Sequence, residues 1–274
     1  MPSLRDKAVL VTGAGRGIGK RLAMGFAQAG ARVGLMARSK AELDLAHLEI
    51  EHAGGVSLRL RTDICDYEAV RAAIDRMRAM QFWPIQVLVC AAGIQGPVGP
   101  FDGTDAGEWA ETVRVNLLGT ANVIRAVLPH MRERREGKVI VLSGEGAAMP
   151  RANFSAYAAT KAALARLAET IAEEVRESNV QVNCLWPGQT YTSMTDEILR
   201  AGDRAGDRER SDAAQVRTTG GVAPEKQIQL ALFLASERSN HISGKLIHAE
   251  DDWKRLENAS LKPALFTLRR SEKY

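Results

Sequence analysis

Apolar and polar positions along this chain fall into two alternating patterns. Short, nearly continuous apolar runs occupy residues 8–11, 31–37, 56–60, 87–90, 139–142 and 180–185. Apolar residues at consecutive positions mark strands covered on both faces. Longer segments with helical character lie between them, at 18–29, 40–52, 67–80, 108–132 and 155–177. The last is rich in Ala, Leu and Glu, all good helix formers. Strand–helix alternation at these spacings predicts a mostly parallel sheet with helices on both faces. Right-handed crossovers make this an α/β, doubly wound (Rossmann-type) fold in a single domain, a size that 274 residues can fill.

Two regions break the rhythm. Residues 190–221 are polar, rich in Arg and Asp, and contain four glycines. They are expected to form a flap over a substrate, mobile or helical, or else a plain surface insertion. Residues 251–274 follow the catalytic domain, 1–250, and carry Trp253, Leu256, Leu261, Leu265, Phe266 and Leu268. That content is too apolar for disorder, so this extension is expected to pack on the domain or on a partner subunit.

Composition narrows the function class. Hydrophobic residues at 45% and charged residues at 26% fit an ordinary folded enzyme. No apolar run approaches the length of a membrane span. The net charge of +4 is spread over scattered Lys and Arg, with short clusters at 132–135 and 269–270. That reads as a solvated surface rather than a nucleic-acid face. Cys65, Cys90 and Cys184 are far apart and form no metal-ligand spacing, so no metal is expected. Cys90 and Cys184 sit in apolar runs and read as core, and an unpaired set fits a reducing compartment. The amino terminus enters the first strand almost at once, which leaves no room for a signal peptide and implies a cytoplasmic protein.

Chemistry enters with a glycine-rich turn. Val11-Thr12 leads into Gly13-Ala14-Gly15-Arg16-Gly17-Ile18-Gly19, and a helix follows. The spacing is G-x-x-x-G-x-G on Gly13, Gly17 and Gly19. Such glycines permit positive φ and let backbone approach a pyrophosphate at a helix N-terminus. A fold of this type that binds NAD usually places an acid at the end of the second strand, for the ribose 2′-hydroxyl. Here Ala37 and Arg38 stand there, and Arg16 sits in the turn. Two cations and no carboxylate point to NADP(H), whose 2′-phosphate suits the planar fork of Arg. Asp63, after the third strand, is a candidate for the adenine amino group, while Asp66 reads as a helix cap.

Tyr157 and Lys161 lie four residues apart in the segment 155–177, on one helical face. An unperturbed Tyr has a pKa of about 10, and a fixed neighbouring cation favours phenolate, which suits a general acid/base.

With the glycine turn, Asp63, Asn116, the Tyr157/Lys161 pair, and Pro187-Gly188 followed by Thr192, the chain resembles the short-chain dehydrogenases/reductases over roughly residues 5–250. The resemblance implies a carbonyl–alcohol oxidoreductase with Tyr157 as proton donor or acceptor and Lys161 lowering its pKa and holding the nicotinamide ribose. Asn116 would sit in a distorted helix and hold a water of the proton relay. Gly13, Arg16, Gly17, Ile18, Gly19, Arg38, Asp63, Ile64, Ala92 and Gly93 would contact the cofactor, with Pro187, Gly188 and Thr192 around the nicotinamide. A homodimer or homotetramer would form through helices 108–132 and 155–177.

Three departures from the family pattern stand out. Cys90-Ala91-Ala92-Gly93 replaces Asn-Asn-Ala-Gly: Gly93 keeps close backbone approach, but the Asn side-chain bonds that brace the strand ends are lost, which should weaken cofactor binding without abolishing it. The serine position 13 residues before Tyr157 is Gly144, so either Ser143 orients the substrate oxygen or the serine is absent. The last strand ends in His248-Ala249-Glu250-Asp251-Asp252 rather than Asp-Gly-Gly, and Glu145, His248, Asp251 and Asp252 are candidates to meet a polar, sugar-like substrate. A nucleotide-binding scaffold or sensor without turnover is the alternative to an enzyme, and a nucleic-acid binder a third.

Overall fold

The computed structural model describes residues 4–258, 261 and 264–269. The start at 1–3, Arg270 and parts of the 251–274 extension therefore lie outside the described residues. Seven strands form one parallel sheet in the order β3-β2-β1-β4-β5-β6-β7. They are β1 (Ala8–Thr12), β2 (Arg32–Ala37), β3 (Val56–Arg61), β4 (Ile85–Cys90), β5 (Gly137–Leu142), β6 (Val180–Trp186) and β7 (Leu246–His248).

Side chains of successive strand residues enter opposite layers. Val9, Val11, Val33, Leu35, Val87 and Val89 join one core with α1 (Gly17–Gln28), α2 (Lys40–His52) and α9 (Pro224–Leu234). Leu10, Met36, Leu88, Val139, Val141 and Val182 join the other with α3 (Tyr67–Ala79), α5 (Thr120–Arg134) and α6 (Ser155–Glu174). This two-sided burial is why the strands read as continuous apolar runs rather than alternating ones. The strand order reverses between β1 and β4, and the crevice at their carboxyl ends is where such sheets bind ligands.

Several elements add detail to the sequence expectation. The helix read at 108–132 is α4 (Ala106–Val113), a π-helical segment (Arg114–Gly119) and then α5. Asn116 lies in the π segment and is fully buried. Such widened turns occur often at functional sites. Residues 190–221 hold two helices, α7 (Ser193–Ala201) and α8 (Asp207–Thr219). An antiparallel bridge between Thr190 and Gly221 joins the ends of this insertion. Arg21 of α1 anchors its entry by donating to Thr190 Oγ1 at 2.7 Å and to the Tyr191 carbonyl at 2.9 Å. Strand β7 and helix α9 did not stand out in the periodicity. Asp66 does cap α3, accepting from the Ala69 N–H at 3.0 Å.

Beyond β7, Trp253 stacks on Phe233 of α9 at 5.0 Å and Leu256 enters the same core. The Phe266 carbonyl accepts from the Leu246 N–H at 2.7 Å, and Arg166 of α6 donates to the Leu268 carbonyl at 2.6 Å. Among the described residues no helix is long and apolar enough to cross a membrane.

Candidate active site

The glycine turn follows β1 directly. Gly13 and Gly17 have φ of +66° and +55°, a region costly for residues with a Cβ. A Cβ on Gly13 would stand 2.7 Å from Ala92 Cα, and one on Gly19 2.3 Å from the Gly13 carbonyl oxygen. The loops after β1 and β4 thus touch backbone to backbone. Helix α1 starts at Gly17 with no side-chain cap and no acid in its first turn, so its first N–H groups face the crevice without an internal acceptor. That is an anion cradle, and it fits a dinucleotide pyrophosphate.

A cleft of about 440 Å³ runs from this turn along the strand ends. It gathers Gly13, Arg16, Gly17, Ile18, Gly19, Arg38, Asp63, Ile64, Ala92, Gly93, Ser143, Tyr157, Lys161, Pro187 and Thr192. Asn116 stands behind the wall and Gly188 lines the neighbouring pocket instead.

At the end of the cleft near β2 one expectation needs correction. The pair of cations is not free of carboxylate, because Glu42 also lines the cleft and lies 3.5 Å from Arg16. Ser39 caps α2 by accepting from the Glu42 N–H at 3.3 Å, and the first helical turn carries residue 42 back against Gly15. The Ser-x-x-Glu spacing of a capping box was the signal available for this placement.

At the other end, Lys161 is 5% exposed and donates to the Leu142 carbonyl at 3.0 Å. Its Nζ lies 5.3 Å from the centre of the Tyr157 ring. Asn116 Oδ1 accepts from the Ile94 N–H at 2.8 Å, and its Nδ2 donates to the Ile94 carbonyl and to Thr160 Oγ1. Thr160 in turn donates to the Tyr157 carbonyl at 2.8 Å. The π segment, the loop after β4 and the turn of α6 that carries Tyr157 and Thr160 are therefore one hydrogen-bonded unit.

Where the Asn side chains are missing, the backbone at Ala91 and Ala92 is held from β1. Thr12 Oγ1 accepts from both their N–H groups, at 3.1 and 3.2 Å. Ser143 is 2% exposed with a partnerless hydroxyl in the cleft wall, while a Cβ at Gly144 would stand 2.8 Å from the Tyr157 hydroxyl. Cys90 and Cys184 are buried, and desolvation raises both thiols, Cys184 to about 12. Both pack in the core.

A second pocket of about 120 Å³ opens on the far side of Tyr157, under α7 and α8. Glu145 lines it, but His248, Asp251 and Asp252 do not. His248 packs edge-on against Trp186, and Asp251 accepts from the His248 N–H at 2.8 Å. The pocket instead recruits Gln95, Arg151, Glu209 and Asp212, which sequence reasoning missed because they come from separate loops and from α8.

A doubly wound sheet with a phosphate cradle at its switch point and a Tyr/Lys pair beside it defines a nucleotide-dependent oxidoreductase. The family model for short chain dehydrogenase matches residues 7–202, and the chain belongs to the short-chain dehydrogenase/reductase family. An L-fucose dehydrogenase of Oryctolagus cuniculus is 34% identical over 85% of this chain and 80% of its own length. The crystal structure of a gluconate 5-dehydrogenase from Burkholderia cenocepacia J2315 in complex with NADP and tartrate superposes with a TM-score of 0.79 at 31% identity, covering 90% of this chain and 94% of that one. A 3-oxoacyl-[acyl-carrier protein] reductase from Brucella melitensis with bound NAD gives 0.75 at 29% identity, with 90% of each chain covered. Relatives of this oxidoreductase family thus bind either dinucleotide.

Proposed function

We propose that this protein interconverts an alcohol and a carbonyl compound with NADP(H), on a small polyhydroxylated substrate. The observation that carries this reading is the Lys161 ammonium 5.3 Å from the Tyr157 ring, in the same cleft as the glycine cradle. The dinucleotide held in the cleft would contribute the hydride transfer. Tyr157 supplies the matching proton to the carbonyl oxygen in reduction and removes it from the hydroxyl in oxidation. Lys161, held by Leu142, would stabilise the negative charge left on the phenol oxygen and would hold the nicotinamide ribose. Ser143 is proposed to orient the substrate oxygen. Arg38 and Arg16 would take the 2′-phosphate, with Glu42 drawing on Arg16, and Asp63 would take the adenine. The relatives named for L-fucose and gluconate support a sugar-type substrate.

The unpaired thiols support a reducing, cytoplasmic location. A homodimer or homotetramer through α5 and α6 would have to accommodate the extension, since Leu268 and Arg269 already engage Arg166 and Glu169 of α6.

The test is NADP(H) turnover, in both directions, across aldoses, polyols, ketoses and simple ketones. Turnover that disappears in Tyr157→Phe supports the reading. Tight NADPH binding with no turnover anywhere in the panel favours a sensor instead, a reading that Gly144 at the usual serine spacing keeps in view.

A further inference from the structure

The pocket beyond Tyr157 carries more negative charge than positive. Glu145, Glu209 and Asp212 line it, and Arg151 is the cation among its lining residues. Arg151 is already committed. Its Nη2 and Nε donate to Glu209 at 2.7 and 3.1 Å, and the two side chains are only 8% and 11% exposed. An incoming carboxylate that recruited Arg151 would strip a buried Glu209 of its partner, a costly exchange. Arg208 reaches Glu145 at 3.6 Å and Asp212 at 3.8 Å, but its side chain is 74% exposed and its charge is screened by water.

A second observation concerns donors. Gln95 lines the same pocket and is 2% exposed, and its Nε2 has no hydrogen-bond partner. A buried donor left unmade is expensive, so a ligand that accepts from it is favoured. The carboxylates of Glu145 and Asp212 can only accept. A hydroxyl group both donates and accepts and therefore satisfies both kinds of partner. A carboxylate can serve Gln95 but is repelled by Glu145 and Asp212, and an aliphatic group serves neither.

We infer that this pocket selects a neutral polyhydroxylated substrate, an aldose or sugar alcohol, and discriminates against the corresponding sugar acid and against simple alicyclic alcohols. The inference rests on the hydride-transfer reading above and narrows its substrate class.

The experiment compares kcat/KM with NADP⁺ for matched pairs, D-glucitol against D-gluconate and xylitol against D-xylonate, with cyclohexanol as the non-hydroxylated member. Bound cofactor is verified separately by NADPH fluorescence. The neutral polyol is expected to exceed its acid and cyclohexanol by about tenfold or more, the scale set by placing like charges together. The double variant Glu145→Gln/Asp212→Asn should shrink the polyol-to-acid ratio at least severalfold. Gln95→Leu should raise the polyol KM while NADPH affinity stays the same. Equal or better use of the acids, or a ratio unmoved in the double variant, overturns the charge argument alone. Cofactor bound with no member of any set turned over overturns the enzymatic reading, and this inference with it.

Discussion

Asn116 satisfies both main-chain polar groups of Ile94, accepting from its N–H at 2.8 Å and donating to its carbonyl at 3.0 Å. One side chain from the π segment thereby fixes the loop that carries Gly93 into the cleft. Asn116→Ala orphans these groups and removes the donor to Thr160 Oγ1, which keeps its own bond to the Tyr157 carbonyl. We expect a loss of about 1–3 kcal/mol in urea unfolding, the cost of unmade buried hydrogen bonds. Turnover should fall further than that loss of stability implies, because the position of α6 relative to Gly93 is released.

Tyr157→Phe removes one oxygen and leaves the ring beside Lys161. NADPH affinity, measured by fluorescence titration, should change less than twofold, while turnover drops by about 10²–10⁴, the usual worth of a positioned acid/base. Turnover within tenfold of the parent would rule the phenol out as the proton carrier.

Gly19→Ala places a methyl 2.3 Å from the Gly13 carbonyl oxygen. The turn must open to admit it, which spoils the cradle rather than the core. NADPH binding should weaken by about two orders of magnitude with thermal unfolding only slightly shifted, given that the usual α-helical preference of Ala over Gly acts the other way.

Arg38→Asp should swing dinucleotide preference toward NAD(H), since an acid repels a 2′-phosphate and accepts from a 2′-hydroxyl. Glu42→Gln, which frees Arg16 from its ion pair, should move preference in the opposite direction, toward NADP(H). Ratios of kcat/KM for the two cofactors measure both, and equal changes for NAD and NADP in the Arg38 variant would defeat the phosphate argument.

Lys138, at the far end of the sheet, is 8% exposed and donates to Ser239 and Asn240. Burial, reinforced by Lys7, pulls its ammonium down to about 7 from the 10.5 of a free lysine, with Glu237 acting the other way. Between those values the unfolded chain holds a proton that the folded protein lacks, so stability rises with pH across this window and the penalty is full below about 7. The slope for one proton is about 1.4 kcal/mol per pH unit. Lys138→Met should flatten the pH dependence of unfolding between pH 7 and 10 relative to the parent. An unchanged slope would show that this amine is charged in the fold.

The sheet was legible because its central strands are apolar on both faces, and the phosphate cradle because glycine spacing after β1 has few other uses. Strand β7, at three residues, is too short to show a period. Glu42 was missed because its place over the turn depends on how Ser39 starts α2. The Thr12 hydroxyl bracing Ala91 and Ala92 joins residues 79 and 80 apart, a contact that only the sheet register creates. The Arg151–Glu209 pair likewise joins a loop to a helix 58 residues later. Local pattern carries elements and turns, whereas such long-range polar pairings follow from how the layers close.

The insertion bearing α7 and α8 leaves and re-enters the domain at neighbouring points, where Val222 donates to the Gln189 carbonyl at 2.7 Å and Tyr191 to the Gly220 carbonyl at 3.1 Å. Such a stem behaves like the neck of a removable cartridge. Exchanging the stretch between its two rungs would re-tool the pocket under α7 and α8, provided that Thr192 in the cleft and Glu209 opposite Arg151 are carried over with it.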